Sequence, residues 1–168
     1  MKYSDFLNAA RKHQAACEVI KNEIVSIDMN RTPHLRAKQR KLLLNFYYLT
    51  GYVIECSVKY GIYKLIDFDP KAPVNSLDQC GLSYNHNIKH HRFCKYADHL
   101  VSRMSGIKLI DDVNGVSREV QELYNRWDAE VRYWYSDIDR ALMDKLNQRN
   151  LFGLYDCAEI VLSSVSRL

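Results

Sequence analysis

The stretch Leu42–Leu65, LLLNFYYLTGYVIECSVKYGIYKL, decides how the rest of the chain is read. Leu42, Phe46, Leu49, Val53, Cys56 and Tyr60 follow one another by alternating fours and threes, the spacing of a single helix face. Leu43, Tyr47, Ile54, Val58 and Ile62 make a second apolar face. A helix apolar on two sides belongs in the middle of a bundle rather than on its surface. A third stripe, Tyr48, Tyr52, Glu55, Lys59 and Tyr63, sets a glutamate and a lysine one turn apart. Burying such a pair is costly unless the charges meet each other and find further hydrogen-bond partners. Glu55 and Lys59 are therefore read either as a device that fixes packing or as part of a binding surface.

Working outward, the predicted order is helical throughout. A first helix is expected from Ser4, a candidate N-cap, to Ile27, because Phe6, Leu7, Ala10, Cys17, Ile20 and Ile24 keep a helical period. Asp28–Pro33 is a connector, with Thr32 placed to cap and Pro33 at the first helical position of the long second helix, which runs to about Ile66. Residues 67–87 hold Pro70, Pro73, Asn75, Ser76 and Gly81 without a sustained period and read as the longest loop. A third helix is expected over Ile88–Ser105, closed by Gly106, followed by a short extended run at Ile107–Ile110. Ser117 caps a fourth, with Val120, Leu123, Tyr124, Trp127 and Val131 on one face. After a turn at Arg132–Ser136, a last helical region starts at Asp137 and reaches Val165, broken near Asn150–Gly153. The fold class expected is all-α: an up-and-down bundle of about five helices forming a single domain over residues 1–168.

Two motifs accompany the central helix. His99-Leu100 stands in YADHLVSRM (96–104), and Trp127 with Arg132-Tyr133 stands in WDAEVRYWYS (127–136). Together with Tyr47, Tyr48, Gly51, Tyr52, Glu55 and Lys59 of YYLTGYVIECSVKYGI, these resemble the signature helix, the His-bearing helix and the Arg-Tyr turn of the HEPN family of small α-helical domains. The resemblance covers most of the chain. It implies a dimeric module that binds RNA, a nucleotide or a partner protein. It also implies the setting of such domains: beside a nucleotidyltransferase, in a toxin–antitoxin pair with an antitoxin partner, or in phage defence.

Many relatives in that family are metal-independent ribonucleases that use an arginine and, after four to six intervening residues, a histidine. Arg92-x6-His99 matches those letters, and seven residues are two turns, so both side chains would share a helix face. The histidine would exchange a proton with the ribose hydroxyl or the leaving oxygen while the arginine held the phosphate. The place is wrong, however, since Arg132 stands nearer the family position and all six histidines precede residue 100. The candidate catalytic residues are thus Arg92, His99 and Arg132, with Tyr48, Tyr52, Glu55 and Lys59 as ligand-binding or polar-core residues. His99 is otherwise read as a buried histidine satisfied by a carbonyl or by Glu55.

Three functions stay open: a non-catalytic binding module, a metal-independent ribonuclease, or a structural helical subunit with tyrosines at its interface. The net charge of +4 is mild, with positive clusters at Arg31, Arg36, Lys38, Arg40 and Lys41 and again over Lys89–Lys95. Cys80, His86, His90, His91 and Cys94 crowd together, but their spacing fits no common zinc pattern, and no metal or cofactor is expected. No phosphate-binding glycine loop, GxSxG or HExxH occurs. Five cysteines without CxxC spacing, no signal peptide and no span of ~20 uncharged residues lead to the expectation of a reduced, cytoplasmic protein without a membrane segment.

Overall fold

The computed structural model describes residues 1–28, 33–93, 96–104, 107, 116–134 and 140–168. Helices dominate: α1 (Ser4–Asp28), α2 (Pro33–Leu65), α3 (Ala97–Val101), α4 (Arg118–Arg126), α5 (Arg140–Met143) and α6 (Gln148–Val165). The 33-residue α2 is the axis, with α1 and α6 packed along it and α4 against α6. Both of its apolar faces are buried, with Phe46, Tyr47, Val53, Ile54, Val58 and Ile62 all at 1 % exposure or less. Each such aliphatic or aromatic side chain contributes roughly 1.5–3 kcal/mol when fully buried. The core tyrosines bring hydroxyls with them, and two on α2 are satisfied by main chain. Tyr47 donates to the Leu123 carbonyl at 2.6 Å and Tyr63 to the Val74 carbonyl at 2.7 Å.

The 67–87 segment, read from sequence as a loop, is a compact ordered cover. Asp67 (φ 51°) takes the left-handed conformation that ends α2. A 3₁₀ turn (Val74–Ser76), a hairpin of β1 (Asp78–Gln79) and β2 (Leu82–Ser83), and a π turn (Tyr84–Ile88) follow. Cys80 (φ 54°) and Gly81 (φ 73°) form the two-residue hairpin tip, which needs positive φ at both positions. Val74, Leu77, Leu82 and Ile88 face the core, so the segment is held by burial even though its pattern shows no period.

Three predicted helices are redrawn: the fourth stops at Arg126, with Val131 in a separate 3₁₀ turn over Ala129–Tyr133, and two others change more. The expected Ile88–Ser105 helix is reduced to α3, five residues from Ala97. Phe93 instead turns inward and lies parallel to the Trp127 indole (4.9 Å between centroids, 4°) and close to Tyr124 (4.6 Å). From the same stretch Arg92 reaches Asp128, so tertiary contacts override local propensity here. The expected break at Asn150–Gly153 falls instead before α6. Asn147 caps α6, accepting from the Asn150 amide at 3.0 Å, and Gly153 lies inside the helix facing a Val120 methyl. Glycine there serves a close approach of α4. By contrast, the Ser117 cap of α4 stands as read, accepting from the Val120 amide at 3.3 Å. Thr32, Cys94, Gly106, Lys108–Ile110 and Asp137 lie outside the described residues.

Among the described residues no helix is long and apolar enough to cross a membrane.

Candidate functional site

The charged stripe of α2 divides into two sites. In the deep half, Glu55 and Lys59 side chains are 5 % and 4 % exposed, and the ammonium donates to Glu55 Oε1 at 2.8 Å. Lys59 also donates to the His90 carbonyl at 2.8 Å and lies over the Tyr96 ring. Both Glu55 oxygens face His91 Nδ1, at 3.1 and 3.2 Å. A buried pair of this kind holds because every charge is met by several partners. Sequence reading foresaw the pair but not its third member. Nothing in the spacing of His91, 36 residues from Glu55, announces the contact.

Around this pair stands an aromatic wall. Tyr52 makes edge contacts with Tyr48 (4.9 Å), Trp127 (5.2 Å) and His91 (6.2 Å), and lies 5.3 Å from the His13 ring. Gly51 makes the wall feasible, because a Cβ at that position would sit 1.9 Å from the Trp127 indole. Trp127 is buried and its Nε1 has no acceptor among the described residues. The two histidines are pushed in opposite directions. The hydrogen bond to Glu55 raises His91, overcoming the effect of its burial, whereas burial and nearby Lys12 lower His13.

Nearer its N-terminus, α2 treats charge differently. Ala37, Lys41, Leu44 and Tyr48 continue one stripe, with Arg40 and Asn45 beside it. Opposite them runs the 3₁₀ turn Ala129–Tyr133, capped by Asp128, whose carboxylate accepts from the Glu130 amide at 3.2 Å. Val131 anchors this turn in the core and leaves Arg132 exposed. Between the two elements lies a groove of about 510 Å³, lined by Arg40, Lys41, Asn45, Tyr48, Arg132 and Trp134 over a floor of Leu44 and Val131. Among the described residues no carboxylate lines it, and none lies within salt-bridge distance of its three cations. Two other hollows are mixed in charge, while a third, beside Val120 and Gly153, holds the single cation Arg149. One between α1 and α6 sets Glu159 beside Arg11 and Arg167, and one at the start of α4 sets Glu119 and Asp144 beside Lys145 and Arg149.

The sequence-derived candidates are thereby sorted. Tyr48 and Arg132 meet at the groove, and Tyr52, Glu55 and Lys59 lie behind it. Arg92 and His99 do not share a helix face, since Arg92 precedes α3 and His99 is inside it. Arg92 Nε bonds Asp128 at 2.9 Å, and His99 Nε2 meets the Asn87 amide at 3.0 Å. The His99 ring, expected to be buried against a carbonyl or Glu55, is half-buried and meets Asn87, while Glu55 meets His91. Among the described residues no three His, Cys, Asp or Glu side chains gather as a metal ion would require. Arg40, Lys41 and Trp134 carry the groove but were not singled out as site residues. The run Arg36–Lys41 was visible as a basic cluster, and its continuation into the Leu44–Tyr48 stripe is the signal that could have placed it.

No protein-family model, curated protein or solved structure matches this chain. What the fold and the groove define is a class: an all-α protein with a cationic, aromatic-edged groove beside a buried polar cluster.

Proposed function

We propose that this chain is a non-catalytic, HEPN-like binding module of up-and-down helical build that takes single-stranded RNA or a nucleotide in the groove between α2 and the Ala129–Tyr133 turn. The observation that carries the reading is the set of three cations, Arg40, Lys41 and Arg132, facing one groove with no carboxylate among its described lining. Surface cations are ordinarily interspersed with acids, and a groove of one sign focuses its field on an anion. Arginine offers a planar fork suited to phosphate, and Tyr48 and Trp134 supply rings on which an unpaired base can stack. Asn45 adds an amide that can both donate and accept.

A homodimer, a nucleotidyltransferase or antitoxin partner, and a role in a toxin–antitoxin or phage-defence system belong to the same reading, supported by the resemblance of YYLTGYVIECSVKYGI. The nuclease alternative at Arg92 and His99 loses its premise, because each side chain is engaged with a different neighbour and the two stand on different elements.

The test is fluorescence anisotropy of a labelled single-stranded RNA oligonucleotide with the wild-type chain and with an Arg40→Ala/Lys41→Ala/Arg132→Ala variant, over a salt series. Salt-dependent binding that the triple variant loses supports the groove. Equal binding by both proteins, or wild-type binding indifferent to salt, overturns it.

A further inference from the structure

Lys89–Phe93 follows the π turn, whose last bond runs from the Lys89 amide to the Tyr84 carbonyl, and ends where the Phe93 carbonyl accepts from the Tyr96 amide; it lies across the buried Glu55–Lys59 pair. Most of its ties do not involve an imidazole. The Lys59 ammonium holds the His90 carbonyl, the Tyr96 hydroxyl donates to the His91 carbonyl at 3.3 Å, and Arg92 pairs with Asp128. Phe93 is stacked against Trp127 and Tyr124. The His91–Glu55 contact is of another kind. The imidazole side chain is 49 % exposed while its carboxylate partner is 5 % exposed, so one end of the bond can exchange protons with solvent and the other cannot readily leave.

We propose that Lys89–Phe93 is a proton-strengthened latch: a charged His91 clamps the segment onto α2 through Glu55, and a neutral His91 leaves it to the remaining ties. The physical difference between the two states is specific. An ionised Glu55 accepts only, so His91 Nδ1 must carry hydrogen in both states. In the charged state the bond is charge-assisted and roughly twice as strong as its neutral counterpart. Neutral His91 must in addition hold the Nδ1–H tautomer to keep it. Every charged or titratable neighbour facing the ring bears on this balance. Glu55 and Asp128 favour the charged form, Lys59 opposes it, and Tyr52 presents a ring edge. The Trp127 indole is stacked against Phe93 and so reports the position of the latch.

This inference stands without the groove reading and is tested without any ligand. Imidazole resonances of the wild-type chain are followed by NMR from pH 5 to 8, and Trp127 emission is followed over the same range in a Trp134→Phe background with and without His91→Asn. The latch predicts a His91 midpoint above the ~6.5 of an unstructured histidine, and a Trp127 pH response that His91→Asn flattens. A His91 midpoint at or below that value overturns the proposal, as does a Trp127 response unchanged by His91→Asn. The wild-type titration needs no variant to fold.

Discussion

The two halves of α2 handle charge in opposite ways. Around Glu55 and Lys59 both charges are buried, and each is met by several groups: the partner charge, the His90 carbonyl, the His91 ring. About four turns earlier, Arg40 and Lys41 face a groove with Arg132 and no carboxylate among the described lining. The deep half turns its polar groups on one another and so fixes the arrangement of α2, the 89–93 segment and the Trp127 wall. The outer half leaves its cations directed at solvent. The difference teaches that a polar stripe on one helix can be structural along part of its length and ligand-facing along the rest. Tyr48 is the hinge between the two, since it touches Tyr52 on one side and lines the groove on the other.

The comparison breaks most sharply at Lys59. Lys59→Met should destabilise the chain by ~3–5 kcal/mol, because it leaves Glu55 buried with its main charge partner gone. Glu55→Leu with Lys59→Met should recover most of that loss, since removing both charges also removes their desolvation cost. Chemical denaturation of the three proteins measures both numbers, and a double variant as weak as the single one would mean that the pair is needed for more than charge balance. Gly51→Ala should follow, at about 1–3 kcal/mol for overpacking against Trp127. That corresponds to roughly 2–4 °C in Tm per kcal/mol for a chain of this size.

At the groove the signature should reverse. Arg132→Ala should alter stability by less than ~0.5 kcal/mol, as for a surface position, while lowering the salt slope of RNA binding by about 1. If Arg132→Ala unfolded the chain without changing that slope, the division between the two halves would fail.

The smallest effect expected is in pH. His91 is raised by its hydrogen bond to Glu55. A histidine whose folded value lies above its unfolded one contributes stability that is fully present below the unfolded value, ~6.5, and lost as pH rises through the folded value. His91→Asn should therefore cost stability at pH 5.5 and little at pH 8, by under ~1 kcal/mol because the ring is half exposed. His13 works the other way, since burial lowers it and acidification must charge it against that burial. Thermal melts of His91→Asn and His13→Asn across pH 5–8 should thus diverge from wild type with opposite pH trends.

Much of this was legible in the sequence wherever a periodic pattern and a local cap agreed. The two apolar faces of α2, the Ser117 cap and the Glu55–Lys59 spacing were all written within one or two helical turns. What escaped was set by distant contacts. The 88–105 run carries helix-compatible residues, yet Phe93 is drawn into a stack with Trp127, and His91 into Glu55 across 36 positions. Asn150 and Gly153 look like breakers in one dimension, but one completes a cap and the other lets α4 approach. The groove was half visible. Arg40 and Lys41 appeared in a basic cluster and Arg132 in a motif, but no spacing rule joins residues 40 and 132 before the chain folds.

The most direct test of the groove is a ¹H–¹⁵N NMR titration of the full chain with a short single-stranded RNA, read at the indole and guanidinium signals as well as the backbone. Shifts should concentrate at the Trp134 indole, at Arg132 and along Arg40–Tyr48, with Arg11 and Arg167 unmoved. Shifts centred on Arg92 and His99, or on the α1–α6 hollow, would contradict this and move the binding site elsewhere on the fold.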